Sequence, residues 1–190
     1  MPIERTCMSG TTLIELITTL SIIALLSALA KPNIEKVIEQ SRIHTETDTL
    51  HSRLNYTRSQ AVILSENVVI CPEKNHQCGS DWNTATLVFV DKNNNVKYEK
   101  SDTLIRRFPP LSQTNHFTWK SFSKQKGISY NPHGFTLKHN GSFYICPPSD
   151  NEKLGNVLII NRMGRARKAQ DTNNNGTVEM ANGNEMYCPQ

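Results

Sequence analysis

The sequence is short of most features that would settle a function early. Glycine and proline number nine each among 190 residues, too few for a collagen-like or low-complexity chain. No HExxH, GxSxG or Walker-type glycine loop occurs, and the six histidines (His44, His51, His76, His116, His133 and His139) are scattered. No nucleophile paired with a base stands out, so the chain reads as a binding or structural protein and not as an enzyme. Excess charge of one sign is small as well. The 21 Lys+Arg exceed the 17 Asp+Glu by four, which points to a nucleic-acid or membrane partner only if it is concentrated somewhere. A mean hydropathy of −0.48 excludes a many-span membrane protein, while 37% hydrophobic residues exceed what a disordered chain carries.

One long apolar run is present. After a polar leader, Met1 to Gly10, the residues from Thr11 to Ala30 carry a single charge, Glu15. Twenty helical residues rise about 30 Å, the thickness of a bilayer's hydrocarbon core. A secretory signal would place its small-residue cleavage site after the apolar core, whereas Gly10 precedes it. A carboxylate near the middle of a membrane helix costs roughly 2.5 to 3.5 kcal/mol, and less near an end, so Glu15 calls for a partner.

Gly10-Thr11-Thr12-Leu13-Ile14-Glu15-Leu16 resembles the class III signal of type IV pilins and pseudopilins. The resemblance implies that a prepilin peptidase removes residues 1–10, cutting between Gly10 and Thr11, and that Thr11 is then N-methylated, at a position where the family usually has Phe. It also implies a role for Glu15 in filament assembly, facing the Thr11 ammonium of a neighbouring subunit. Residues 11–31 are the membrane and filament-core half of a long helix. Pro32 falls where a kink or break is expected. An amphipathic half follows over residues 32–65, with Ile34, Val37, Ile38, Ser41, Thr45, Leu50, Leu54, Thr57, Ala61 and Leu64 on one face. Glu35, Glu39, Arg42, Glu46, Arg53 and Arg58 take other faces.

From residue 66 to 190 the pattern changes to short β-rich runs. The expected strands are Val68 to Cys71, Thr84 to Val90, Val96 to Tyr98, Leu104 to Phe108, His116 to Lys120, Ser142 to Cys146 and Val157 to Asn161. Asp91 to Asn95 and Asn140-Gly141 read as hairpin turns, and Asp171 to Asn184 as a loop or flexible tail. Loss of the leader removes Cys7 and leaves Cys71, Cys78, Cys146 and Cys188. Four cysteines in an exported domain read as two disulfides with three possible connectivities. Cys71–Cys78 and Cys146–Cys188 are favoured, because the first pair flanks a polar loop and the second pins the C-terminus to a strand. Zinc on Cys71, His76 and Cys78 would need a reducing compartment and a fourth ligand. Asp171 to Gly176 matches the start of a calcium loop, but its closing position is Asn182 and not Glu, so it reads as an Asx-rich turn. Neither a metal nor a cofactor is expected.

The net charge is concentrated at Arg162-Met163-Gly164-Arg165-Ala166-Arg167-Lys168, four cations in seven residues. In an extended segment Arg165 and Arg167 project on one side about 6.5 to 7 Å apart, close to the phosphate spacing of a nucleic-acid strand. Gly164 permits a sharp turn before them. Together with the N-terminal signal, Gly164-Arg165-Ala166-Arg167 resembles the GRxR motif of FimT-type minor pilins, within the FimT/GspH pseudopilin family. Weaker likenesses accompany it at Thr86 to Asp91, at Leu104-Ile105-Arg106 and at Asn131 to Gly134. The resemblance implies an α+β, type IV pilin-like fold, a long N-terminal helix packed on a mainly antiparallel β domain. It implies a minor pilin that captures double-stranded DNA for natural transformation, with Arg165 and Arg167 as the main phosphate contacts. Arg162 and Lys168 are auxiliary on charge and proximity. The implied partners are DNA, major and other minor pilins, the prepilin peptidase and the membrane. The implied location is a single-pass inner-membrane protein with a periplasmic domain, later a cell-surface pilus. The alternatives are a structural GspH-like pseudopilin of a type II secretion system, or a pilus-assembly minor pilin that does not bind DNA.

Overall fold

The computed structural model describes residues 12–123 and 125–189, with the backbone alone described for residues 28–33. Residues 1–11, among them Cys7, Gly10 and Thr11, lie outside the described residues, as does the side chain of Pro32. The chain divides into two units, Met1–Ile38 and Glu39–Gln190.

A single helix, α1 (Leu13–Leu64), runs through both. It starts because Thr12 caps it: the Thr12 hydroxyl accepts the Glu15 backbone N–H at 3.3 Å, and Thr-x-x-Glu is the sequence form of a capping box. Along its first part the large apolar side chains are exposed, from Leu13 at 75% to Leu26 at 62%. The hydroxyls there are spent internally. Thr18, Thr19, Ser21 and Ser27 donate to carbonyls three or four residues back, which leaves a surface with little polarity to hydrate. Among the described residues no helix is long and apolar enough to cross a membrane. The helix continues through residue 32, so of the kink or break expected there the break does not occur.

In the second unit the helix buries Ile43, Thr47, Leu50, Leu54, Thr57 and Ala61, at alternating spacings of four and three. The stripe differs from the expected one at both ends. Ile34, Val37, Ile38, Ser41, Thr45 and Leu64 are exposed, and Ile43 and Thr47 join the stripe instead. Arg53 is also buried, against expectation. Its guanidinium donates to the Pro109 carbonyl at 2.8 Å and lies 4.9 Å over the Phe108 ring, so partners compensate a charge that position alone would forbid.

Two antiparallel sheets complete the unit. The first has the order β2 (Gln77–Cys78), β1 (Val68–Lys74), β3 (Thr86–Val90) and β4 (Thr103–Phe108), with β6 (Ile128–Tyr130) also on β1. The second has the order β5 (His116–Ser121), β7 (Gly141–Cys146), β8 (Asn156–Ile160) and β9 (Ala166–Lys168). Central strands β3 and β8 are buried throughout, so they read as continuous apolar runs with no alternation. One core joins Leu50 and Leu54 of α1, Val68, Ile70 and Val88 of the first sheet, and Phe143, Ile145 and Leu158 of the second. Behind the second sheet, Val157, Ile159 and Tyr144 carry Met186 and Val178 of the C-terminal segment.

Disulfides join Cys71 to Cys78 and Cys146 to Cys188. Three expectations are corrected. Val96 to Tyr98 is not a strand but part of the loop between β3 and β4, because the Asp91 carboxylate takes the Asn95 and Val96 N–H groups that a ladder would need. Asn140-Gly141 does not turn a hairpin, since β6 pairs with β1 and β7 with β5. Strands β2, β6 and β9 were not anticipated, being two or three residues long.

Candidate functional site

The basic segment closes the β8–β9 hairpin of the second sheet. Strand β8 ends at Ile160, the chain reverses over residues 161–165, and β9 returns with Ile159 opposite Arg167. The turn is closed by Asn161. Its side-chain oxygen accepts the Arg165 N–H at 3.0 Å, its carbonyl accepts the Gly164 N–H at 3.0 Å, and its own N–H donates to the Arg165 carbonyl at 3.1 Å.

Gly164 is buried with φ of 72° and packs on the Gly134 carbonyl oxygen, with Tyr130 beneath. A Cβ at this position would collide with that oxygen. Gly134, φ 75°, closes the Asn131 turn, and the Arg58 guanidinium from α1 donates to its carbonyl at 2.9 Å. Two glycine turns are therefore stacked on each other and clamped from the helix. The loop at Thr136 and Leu137 adds a third support, both N–H groups donating to the Arg162 carbonyl. Gly164 thus serves the site by close approach, which a side chain would prevent.

The four cations separate into distinct environments. Lys168 is half-buried and ion-paired with Asp48 of α1. Its hydrogen bond to Asp48 holds that carboxyl below the usual carboxylate range. His51 Nε2 lies 3.0 Å from the Ala166 carbonyl oxygen, so β9 is attached to the helix at two points. Arg165 and Arg167 are exposed, alternate with half-buried Ala166 and Lys168, and so share one side of the strand. Arg162 is exposed in the turn. Among the described residues none of these three arginines has a carboxylate within ion-pair distance. The result is three guanidinium forks without a carboxylate partner among the described residues, on a hydrogen-bonded turn and strand, an arrangement able to take bidentate contacts from oxyanions.

Other residues singled out in the sequence lie elsewhere. Glu15 is exposed in the first turn of α1. Asp171 already accepts the Asn175 and Gly176 N–H groups, and the Asp91 loop folds with the same bonds. Among the described residues no three His, Cys, Asp or Glu side chains gather as a metal site. Sequence reasoning missed an open cavity of about 520 Å³ beside Arg162, bordered by Phe122, Ser123, Leu137 and Lys138. The only signal for it was Phe122 between lysines.

The model of the family described as type II transport protein GspH matches residues 46–164. That match stops at Gly164, one residue before the first of the paired arginines. No curated protein matches the chain. Among solved structures, the type IV minor pilin FimU of Pseudomonas aeruginosa, strain PAO1, is similar in two crystal forms. The P21 form has a TM-score of 0.55 at 20% identity over 70% of this chain and 91% of FimU, and the P65 form 0.53 at 20% identity over 67% and 92%. The minor pseudopilin EpsH from the type 2 secretion system of Vibrio cholerae follows with a TM-score of 0.49 at 7% identity over 67% and 95%. The FimU likeness shows a shared fold, a helix packed on antiparallel sheets.

Proposed function

The chain belongs to the GspH family of minor pilins and pseudopilins, and from that premise we propose that it is a minor pilin that captures extracellular double-stranded DNA for natural transformation. The observation that carries this reading is the pair Arg165 and Arg167, exposed on one side of a hairpin whose backbone is locked by Gly164, Asn161 and Arg58. Phosphate contacts carry little sequence information, so binding tolerates many sequences. Capture is physical, with no bond made or broken, and the protein is not an enzyme.

In this reading prepilin peptidase removes residues 1–10, Thr11 becomes the methylated N-terminus, and Glu15 meets the Thr11 ammonium of a neighbour among major and other minor pilins. The subunit waits as a single-pass inner-membrane protein with its β domain in the periplasm, then enters a type IV pilus. The exposed apolar side chains from Leu13 to Leu26 and the internally bonded hydroxyls support burial of that stretch in lipid or in a bundle. Arg162 assists the pair, and Lys168 serves mainly to hold β9 on the helix.

The test is a salt series with full chain in detergent micelles. With two guanidinium groups on phosphates, log K falls against log salt with a slope of about −1.8, and with three about −2.7. The Arg165→Ala/Arg167→Ala variant should lose most duplex binding and keep its thermal melt. Normal binding by that variant in gel shifts removes the assignment. The family's description as a type II transport protein supports a second reading, a structural pseudopilin of a secretion filament. It forecasts no salt-sensitive DNA affinity, and a secretion defect in place of an uptake defect when the gene is lost.

A further inference from the structure

Beside the arginine hairpin, the open cavity has an apolar floor and cationic walls. Phe122, 78% exposed, and Leu137, 56% exposed, form the floor, while Lys138 and Arg162 border it and, among the described residues, no carboxylate lines it. Three anchored segments build it. The Phe122 N–H donates to the Asn140 carbonyl at 3.1 Å, and the Leu137 N–H donates to the Arg162 carbonyl at 3.2 Å. Leu137 has a φ of 48°, an uncommon conformation for a branched residue and one that these bonds hold. Arg162 belongs both to this cavity and to the turn that presents Arg165 and Arg167. The apolar floor therefore continues the basic surface.

We propose that this cavity receives an unpaired DNA base, stacked on Phe122, with the flanking phosphates on Lys138 and Arg162. The proposal rests on the DNA-capture reading and refines its substrate: duplex DNA with a single-stranded end or gap is held in preference to blunt duplex. The chemistry discriminates between occupants. The exterior of a duplex presents phosphates and sugars, which the three arginines can meet but an exposed phenyl ring cannot. An unpaired base offers a flat π-face joined through its own sugar to a phosphate. Aromatic stacking of this kind accepts any base and contributes roughly a tenfold gain in affinity per base. A protein partner on the same floor would leave Lys138 and Arg162 to be matched by its acids, whereas a nucleic acid supplies both the apolar face and the anion together.

The experiment measures fluorescence anisotropy of full chain in detergent micelles with three labelled probes of equal length: an oligo-dT single strand, a blunt duplex, and a duplex with a single-stranded overhang. Phe122→Ala should weaken the single strand and the overhang roughly tenfold and leave the blunt duplex and the salt slope unchanged. Phe122→Trp, which keeps a ring, should retain or strengthen single-strand binding. Arg165→Ala/Arg167→Ala should weaken all three probes. If Phe122→Ala leaves every probe unchanged, or weakens all three equally, while the arginine variant still weakens them, the base site is wrong and DNA capture stands. If the arginine variant changes none of them, DNA capture itself is wrong. If Phe122→Ala spares every probe but lowers incorporation of the subunit into filaments, the cavity is a pilin contact and the proposal is overturned.

Discussion

Gly164 shows most directly how one residue serves the hairpin. Its buried position against the Gly134 carbonyl leaves no volume for a methyl group, and its φ of 72° suits glycine. Gly164→Ala should therefore lower stability by about 2 kcal/mol or more, read as a fall in the thermal melt, and weaken DNA binding as the turn shifts. Arg58→Ala should weaken the same turn from the helix side, by leaving the Gly134 carbonyl without its donor. His139 reports a different residue-scale property. Burial pushes its imidazole below the ordinary range, with Lys138 acting in the same direction and a Gly127 backbone bond and Asp91 opposing. The folded form therefore keeps His139 neutral, while the unfolded chain takes up a proton as pH falls below about 6.5. The stability linked to this group is present above that value and is lost as pH falls towards the folded pKa. Melts between about pH 7 and pH 5 should decline, and His139→Gln should flatten the decline. Arg53 is the residue whose environment the sequence hid most fully. Burial, with Arg106 adding repulsion, brings its pKa down to about 10, so it stays charged at neutral pH inside the core.

At the scale of elements, the two disulfides differ in what they constrain. Cys71–Cys78 closes a separation of seven residues and Cys146–Cys188 one of forty-two. On the loop-entropy account these contribute roughly 2.5 and 4 kcal/mol. Replacing Cys146 and Cys188 by serine should cost more in the melt than replacing the short pair. It should also expose the segment behind β8 to limited proteolysis, because the disulfide is the covalent tie of that segment to the sheet, and side-chain contacts of Met186, Val178, Met180 and Tyr187 would have to hold it otherwise. The long helix and the longer strands were legible from periodicity, and the basic segment from its clustered charge and Gly164, though not its pairing with β8 as a hairpin. The short strands were not, since two or three residues carry no periodic signal. Thr45 and Ser41 misled because small polar residues fit either face of a helix, and only the packing of Ile43 and Thr47 decides the phase. The sequence ranked Arg162 and Lys168 together as auxiliary cations, and nothing in it separated the exposed arginine from the paired lysine. The pairing of Lys168 with Asp48, 120 positions away, depends on the tertiary meeting of β9 and α1.

For the whole molecule, the helix carries two surfaces of opposite character. Leu13 to Leu26 are exposed, while Leu50, Leu54 and Ala61 are enclosed by sheet residues. The pilin reading assigns the first surface to lipid and then to neighbouring subunits. Glu15→Lys should then abolish incorporation into sheared filaments, while the melt of the β domain stays unchanged. Loss of domain stability in that variant would contradict the division of labour.

The Lys168–Asp48 pair and the His51 contact with Ala166 acquire a mechanical meaning if a filament retracts with DNA in hand. Strand β9 has three residues and lies at a sheet edge, so a pull on Arg167 and on the adjoining Arg165 alone could peel it from β8 one bond at a time. Its fastenings to α1 carry part of that load sideways into a fifty-two-residue helix. In the DNA-capture reading, load placed on the hairpin would then be shared between the β8 ladder and the helix, so that a three-residue strand need not bear it alone.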